Sequence, residues 1–274
     1  MDSKHMRVCC IIAAAGASSR YSVGGGLRNK LDEDLGGKPV LQRTVEIFAK
    51  FESSEATIPS IVVAGPYPDD AFQEFRERHG DRLGLLGARL CRGGEAHRWQ
   101  TVAAALALVP EDCTHVAVHD AARPCLTLDL LNRLFDAAAK FPAVIPAIPL
   151  SDTIKRVEET GEKFGGDDVA AAILGITESA KHPLRVVTQT PDRAGLMLIQ
   201  TPQVFEVGLL RRAYAQADLT STDDATLVER LGERVVVVDG EARNIKITRP
   251  ADIDLARAIL GARPPEGRAT HKKF

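Results

Sequence analysis

Short apolar runs alternate with segments of helical spacing along most of this chain, and that alternation restricts its fold more than any other feature. "RVCCIIAA" (7–14), "SIVVAG" (60–65), "GARLCRGG" (87–94), "THVAVHDAARP" (114–124), "AVIPAIP" (143–149) and "RVVVVDG" (234–240) read as buried strands. Between them lie predicted helices over 39–51, 69–79, 98–108, 128–140, 207–217 and 223–231, with a last one after Pro250. "IKIT" (245–248) reads as a further strand. Apolar runs of four to eight residues separated by helices indicate a mostly parallel sheet covered on both faces, the doubly wound, Rossmann-like α/β class. Ligands on such sheets sit outside the carboxyl ends of the strands. The loops at 14–30, 92–98 and 119–125 all follow strands, so they are expected on one rim.

From 151 to 190 the rhythm breaks. That stretch has two strand-like ends and a middle of mixed polarity, and reads as a β-hairpin arm inserted in a single domain over 1–262. A two-stranded excursion is marginally stable alone, so the arm is expected to pack on a second copy in a homodimer. Residues 263–274 read as a disordered tail.

The 274 residues carry a net charge of −2, which gives no general attraction to nucleic acid or to an anionic membrane. Any anion site must be local. The first residues imitate a secretory signal, but the apolar run is about ten residues and passes straight into a basic, glycine-rich loop. No other segment approaches the ~18 apolar residues that span a membrane. Five cysteines, without a C-x-x-C pair or metal-ligand spacing, fit reduced thiols and a cytoplasmic chain.

The loop "AAAGASSRYSVGGGLRNK" (13–30) places small residues and three cations after a strand. Small residues let backbone N–H groups approach a ligand, and successive N–H groups make an anion nest. It is neither a P-loop nor a dinucleotide fingerprint. It suits a nucleoside triphosphate, or is an ordinary loop. In "VHDAARP", Asp120 ends a buried strand on the same rim. It either holds Mg²⁺ or caps the turn and pairs with Arg123. His119 reads as a packed, hydrogen-bonded imidazole. Asp223 and Asp224 are either paired metal ligands or, the reading favoured here, acids at a helix start. Trp99 either stacks on a base or belongs to the core.

Together, "AAAGASSR…K" (13–30), "HDAARP" (119–124), "SDTIKR" (151–156), "TPDRAGL" (190–196), "TPQVF" (201–205), "STDDATLVE" (221–229) and "NIKIT" (244–248) resemble, in order and spacing, the 2-C-methyl-D-erythritol 4-phosphate cytidylyltransferases. The resemblance covers about residues 7–260. It implies a CTP- and Mg²⁺-dependent transfer of a cytidylyl group to a polyol phosphate. It implies that Arg20, Lys30, Arg193 and Lys246 are catalytic. Ala13, Ala14, Ala15, Gly16, Gly94, Glu95, Arg98, Thr101, Asp120 and Ala121 would bind the nucleotide, and Asp120 would ligate Mg²⁺. Arg123, Thr153, Arg193, Thr201 and Lys246 would bind the acceptor. Sister families use ribitol 5-phosphate or sugar 1-phosphates, and a CTP-binding module without catalysis is a third reading. The chain departs from the pattern at the added "VGGGL", where Arg28 is an alternative to Lys30. It also departs at 95–96, where Glu95 or Ala96 falls at the ribose contact, at Arg243, where an acid is common, and in a longer arm.

Overall fold

A computed structural model describes residues 5–16, 19–26, 29–164 and 182–263, with the side chains of 19–20, 163–164 and 182 left aside. The predicted tail from 264 onward and the middle of the arm lie outside the described residues. Contacts divide the chain into two units, 149–198 and the remainder.

The larger unit is an α/β sheet. Its strands are β1 (Met6–Ala13), β2 (Ala56–Gly65), β3 (Ala88–Arg92), β4 (His115–Asp120) and β5 (Ala143–Pro149), then, after the arm, β9 (Gln203–Glu206) and β10 (Val236–Asp239). Its helices are α1 (Ser19–Val23), α2 (Val40–Ala49), α3 (Asp69–Gly84), α4 (Arg98–Leu106), α5 (Leu128–Ala138), α6 (Val207–Tyr214), α7 (Asp224–Arg230) and α8 (Ala251–Leu260), with a single 3₁₀ turn at Lys30–Asp32. The strand order is β10-β5-β9-β4-β1-β2-β3. β1 pairs parallel with both β2 and β4.

Both faces of β1 are covered, which is why its sequence is a continuous apolar run. Val8, Cys10 and Ile12 face one core with Leu41, Val45 and Phe48 of α2 and Leu130, Leu134 and Phe135 of α5. Cys9 and Ile11 face the other, with Val102 and Ala105 of α4, Leu210 of α6 and Leu227 of α7. The run that imitates a secretory signal is thus an interior strand of the sheet, flanked by β4 and β2. Among the described residues, no helix is long and apolar enough to cross a membrane.

The structure adds one strand and corrects two sequence expectations. First, "QVFE", given no element from the sequence, forms β9, which lies antiparallel between β4 and β5, while the sheet is mostly parallel as expected. Second, "IKIT" is not a strand. Its Ile247 N–H donates to Ala122 O at 2.8 Å, which docks this segment on the loop after β4, with Ile247 fully buried. Third, α3 runs five residues past His79, because Leu83 continues the buried face begun by Phe75 and His79.

The smaller unit holds the arm. β6 (Arg156–Phe164) and β7 (His182–Gln189) pair antiparallel, with Val157 opposite Val187 and Glu159 opposite Arg185. The last pair is a surface ion pair at 3.0 Å. A short strand, β8 (Met197–Ile199), follows.

Candidate active site

Register sets the level of the site. Ala13, the last residue of β1, is the partner of Ala64 on β2 and of Asp120 on β4. The loops after β1, β3 and β4 therefore leave one rim together. They enclose a cavity of about 260 Å³. Its lining includes Ala13, Ala14, Ala15, Gly16 and Lys30 from the first loop. Gly94, Glu95, Arg98 and Thr101 come from the second, Asp120 and Ala121 from the third, and Lys246 from the docked 245–248 segment.

Each part is held by local bonds. Ala14 N–H donates to Ala64 O at 2.8 Å, which leaves Ala15–Gly16 as the turn that faces the cavity. At Gly93 an added Cβ would stand 2.5 Å from Gly65 O, and at Gly94 it would stand 2.1 Å from Gln100 Cβ. Neither glycine can carry a side chain without moving the loop. Gly94 N–H donates to Thr101 Oγ1 at 3.1 Å. Gln100 Oε1 accepts from Ala96 and His97 N–H, both at 2.9 Å, and closes the turn into α4.

Asp120 is the electrostatic centre. It is buried, and its carboxylate meets Lys246 Nζ at 2.8 Å, Arg98 Nε at 3.3 Å and Arg123 Nε at 3.5 Å. Burial alone would raise its pKa. The Arg98 and Lys246 cations outweigh that, with Arg123, and hold the carboxyl well below the usual range. Asp120 N–H donates to Thr201 Oγ1 at 3.0 Å, and Thr201 Oγ1 also meets His119 Nδ1 at 3.1 Å. His119 is fully buried. Desolvation pushes its pKa down to about 4, so it is neutral at pH 7, the packed imidazole expected from the sequence.

Lys30 and Lys246 both line the cavity, and Lys30 Nζ donates to Ile247 O at 3.0 Å. The Arg20 side chain and all of Arg28 lie outside the described residues. Arg123 and Thr201, expected at the acceptor, are absent from the cavity lining. Arg123 Nη1 donates to Asn244 O at 2.8 Å, so its guanidinium is committed to Asp120 and the 244 turn. Thr201 spends its hydroxyl on Asp120 and His119. Arg123 braces the Asp120 carboxylate and Thr201 the Asp120 backbone. Thr153 and Arg193 belong to the smaller unit, where both are exposed. Arg193 Nη1 donates to Ser151 O there.

Arg98 reaches inward. Its Nη1 donates to Asp224 Oδ2 at 2.8 Å, and Asp224 Oδ1 accepts from Tyr214 OH at 2.5 Å. Asp223 Oδ1 accepts from Thr226 N–H at 3.1 Å as the cap of α7. The two acids are therefore structural, as the sequence reading favoured. Trp99 stacks on His97, ring centroids 6.0 Å apart, and does not line the cavity. Arg243 Nη2 donates to Ile259 O at 3.4 Å.

With this geometry in place, the comparisons with known proteins decide the family. The model of the family described as "IspD: 2-C-methyl-D-erythritol 4-phosphate cytidylyltransferase" matches residues 8–170 and 166–262. The chain belongs to this family. The cytidylyltransferase of that name from Frankia casuarinae is 37% identical over 94% of this chain and 83% of its own length. That of Geobacillus kaustophilus is 34% identical over 93% and 98%. Among solved structures, a 4-diphosphocytidyl-2C-methyl-D-erythritol synthase superposes with a TM-score of 0.68 at 30% identity, over 93% of this chain and 98% of that one. The 2-C-methyl-D-erythritol 4-phosphate cytidylyltransferase from Thermus thermophilus gives 0.65 at 29%, over 92% and 98%. The doubly wound α/β fold and the nucleotidyltransferase class are those of this IspD family.

Proposed function

We infer that this chain transfers a cytidylyl group from CTP to 2-C-methyl-D-erythritol 4-phosphate. The products are pyrophosphate and 4-diphosphocytidyl-2-C-methyl-D-erythritol. The observation that carries this reading is the rim cavity, where a small-residue turn, Lys30 and Lys246 surround a buried carboxylate.

An acceptor phosphate oxygen attacks the α-phosphorus of CTP. A new P–O bond forms there as the bond from that phosphorus to the oxygen shared with the β-phosphate breaks, and its electron pair leaves on pyrophosphate. The nucleophile is already an anion, so no strong general base is needed. The barrier is repulsion between two anions, and positioned cations lower it. Lys30, Lys246 and Arg20 take that role. Ala13–Gly16, Gly94, Glu95, Arg98, Thr101 and Ala121 hold the nucleotide.

Mg²⁺ fits this site only in company with the substrate. Among the described residues no group of three or more His, Cys, Asp or Glu could hold a metal. Of the two carboxylates on the cavity, Glu95 is exposed and Asp120 is buried among cations. Mg²⁺ is commonly held by one or two carboxylates plus substrate phosphates, so Asp120 would hold it together with the triphosphate. When bound there, the ion would neutralise charge on the transferring group.

Arg193 and Thr153 would grip the acceptor phosphate. A guanidinium can bind a phosphate bidentately and an ammonium cannot. Arg193→Lys is therefore expected to raise KM for the acceptor by about tenfold and to leave KM for CTP within about twofold. Steady-state kinetics with each substrate varied in turn checks this. Equal changes in both would remove Arg193 from the acceptor site.

The arm supports a homodimer. Val157, Val186 and Val187 are 45%, 52% and 57% exposed, on a hairpin that gains little from its own two strands. A second copy of the chain would cover them. Light scattering is expected to give twice the chain mass at micromolar concentration, and a monomer there would contradict the assignment.

A further inference from the structure

We propose that Asp32, clamped by His79 and Arg78, is a positioning residue that aims Lys30 into the cavity. The inference rests on the reading of Lys30 as a cation acting on the triphosphate. Lys30, Leu31 and Asp32 form one 3₁₀ turn. Its first two residues line the cavity, and its third points to the other side, onto α3. Asn29 Oδ1 caps the turn by accepting from Leu31 N–H at 3.0 Å. Asp32 N–H donates to Asn29 O at 2.9 Å.

A turn this short has poor internal hydrogen-bond geometry and little stability of its own. The Lys30 ammonium, on a flexible four-carbon stem, depends on the backbone beneath it as well as on its bond to Ile247 O. The fixed point is the Asp32 carboxylate. Its Oδ1 is 2.7 Å from His79 Nε2, and its Oδ2 is 2.5 Å from Arg78 Nη1. His79 is 3% exposed and packs against the Phe75 ring at 5.0 Å, so this partner cannot swing away. Burial would raise the Asp32 pKa, but His79 and Arg78 hold it below its ordinary value, which keeps the Asp32 carboxylate ionised. Both partners sit on the 16-residue α3, a rigid element. The turn thus connects α3 to Lys30 over two residues.

Misplacement of a charge-stabilising group by about 1 Å can cost on the order of 10²-fold in rate. The test is a set of double-mutant cycles on the full chain. Asp32→Asn and Arg78→Gln are each made in the wild-type and in the Lys30→Ala background. Pyrophosphate release gives kcat and the acceptor KM, and a binding titration gives the CTP affinity. In the wild-type background each change is expected to lower kcat on the order of tenfold, with the acceptor KM within about twofold. In the Lys30→Ala background neither is expected to lower kcat further, because its route of action is gone. Arg78 is half exposed, so its variant carries the comparison if Asp32→Asn fails to fold. If the losses multiply in full in the Lys30→Ala background, the clamp is merely structural and the inference is overturned. It is equally overturned if Lys30→Ala impairs turnover while both clamp variants leave kcat unchanged. If Lys30→Ala itself has no effect on kcat, the reading of Lys30 falls and the clamp proposal with it.

Discussion

Asp120→Asn is expected to lower turnover by roughly 10²–10³-fold and to destabilise the fold by about 3 kcal/mol. Three cations converge on this one carboxylate, Lys246 at 2.8 Å, Arg98 at 3.3 Å and Arg123 at 3.5 Å. An amide of the same shape leaves them facing one another around a buried, neutral group, and removing one member of a buried charge cluster is far costlier than its net contribution suggests. The catalytic loss has a separate origin. Lys246 is aimed by Asp120, and the proposed Mg²⁺ would share the same oxygens. The pH behaviour follows from the direction of the shift. The folded pKa lies below the unfolded value of about 3.9. The stabilisation is then fully present above about pH 4 and is lost as pH falls through the folded value. Turnover between pH 6 and 9 should show no break due to this group. Pyrophosphate release and urea unfolding measure the two effects. Near-wild-type turnover in the variant would remove Asp120 from the site.

Asp224→Asn is expected to act on stability first. Its carboxylate is 1% exposed and takes bonds from both Arg98 Nη1 and Tyr214 OH. Its own N–H donates to Gln203 Oε1 at 3.1 Å, which ties α7 to β9. The Arg98 guanidinium already has one buried nitrogen, Nη2, without a partner among the described residues. Removing the Asp224 charge leaves that guanidinium to Asp120 alone. A loss of about 3 kcal/mol follows, which for a chain of this size is a fall in Tm of roughly 10 °C. Arg98 keeps its bond to Asp120, so turnover measured well below the melting temperature should fall by less than about tenfold. Thermal unfolding and initial rates on the same preparation separate the outcomes. An unchanged Tm with turnover abolished would make Asp224 a group of the active site.

The parts legible in the sequence are those that local pattern controls. The continuous apolar run of β1 must be buried on both faces, and the strand-then-loop order of 13–16, 92–98 and 119–121 places those loops on one rim. β9 was not legible, because "QVFE" is four residues long and pairs antiparallel only where β4 and β5 leave room. "IKIT" misled for the opposite reason. Its alternation is real, with Lys246 toward Asp120 and Ile247 into the core, but it marks a loop laid over the sheet rather than a strand. The inward turn of Arg98 depends on a carboxylate 126 residues away, and no spacing rule reports that. Arg123 and Thr201 were expected at the acceptor. Both also hold Asp120, Arg123 at its carboxylate and Thr201 at its N–H, because a buried carboxylate and its N–H must both be satisfied. The Asp32 clamp carries no motif, because its partners lie 46 and 47 residues away on α3.

The most direct test of the account is pyrophosphate release by the purified chain with CTP. Four parallel arms are needed, comprising methylerythritol 4-phosphate with Mg²⁺, ribitol 5-phosphate with Mg²⁺, Mg²⁺ with no acceptor, and methylerythritol 4-phosphate with a chelator. Release is expected in the first arm alone, with 4-diphosphocytidyl-2-C-methyl-D-erythritol as the second product. Release with ribitol 5-phosphate instead, or CTP binding with no release in any arm, would contradict it.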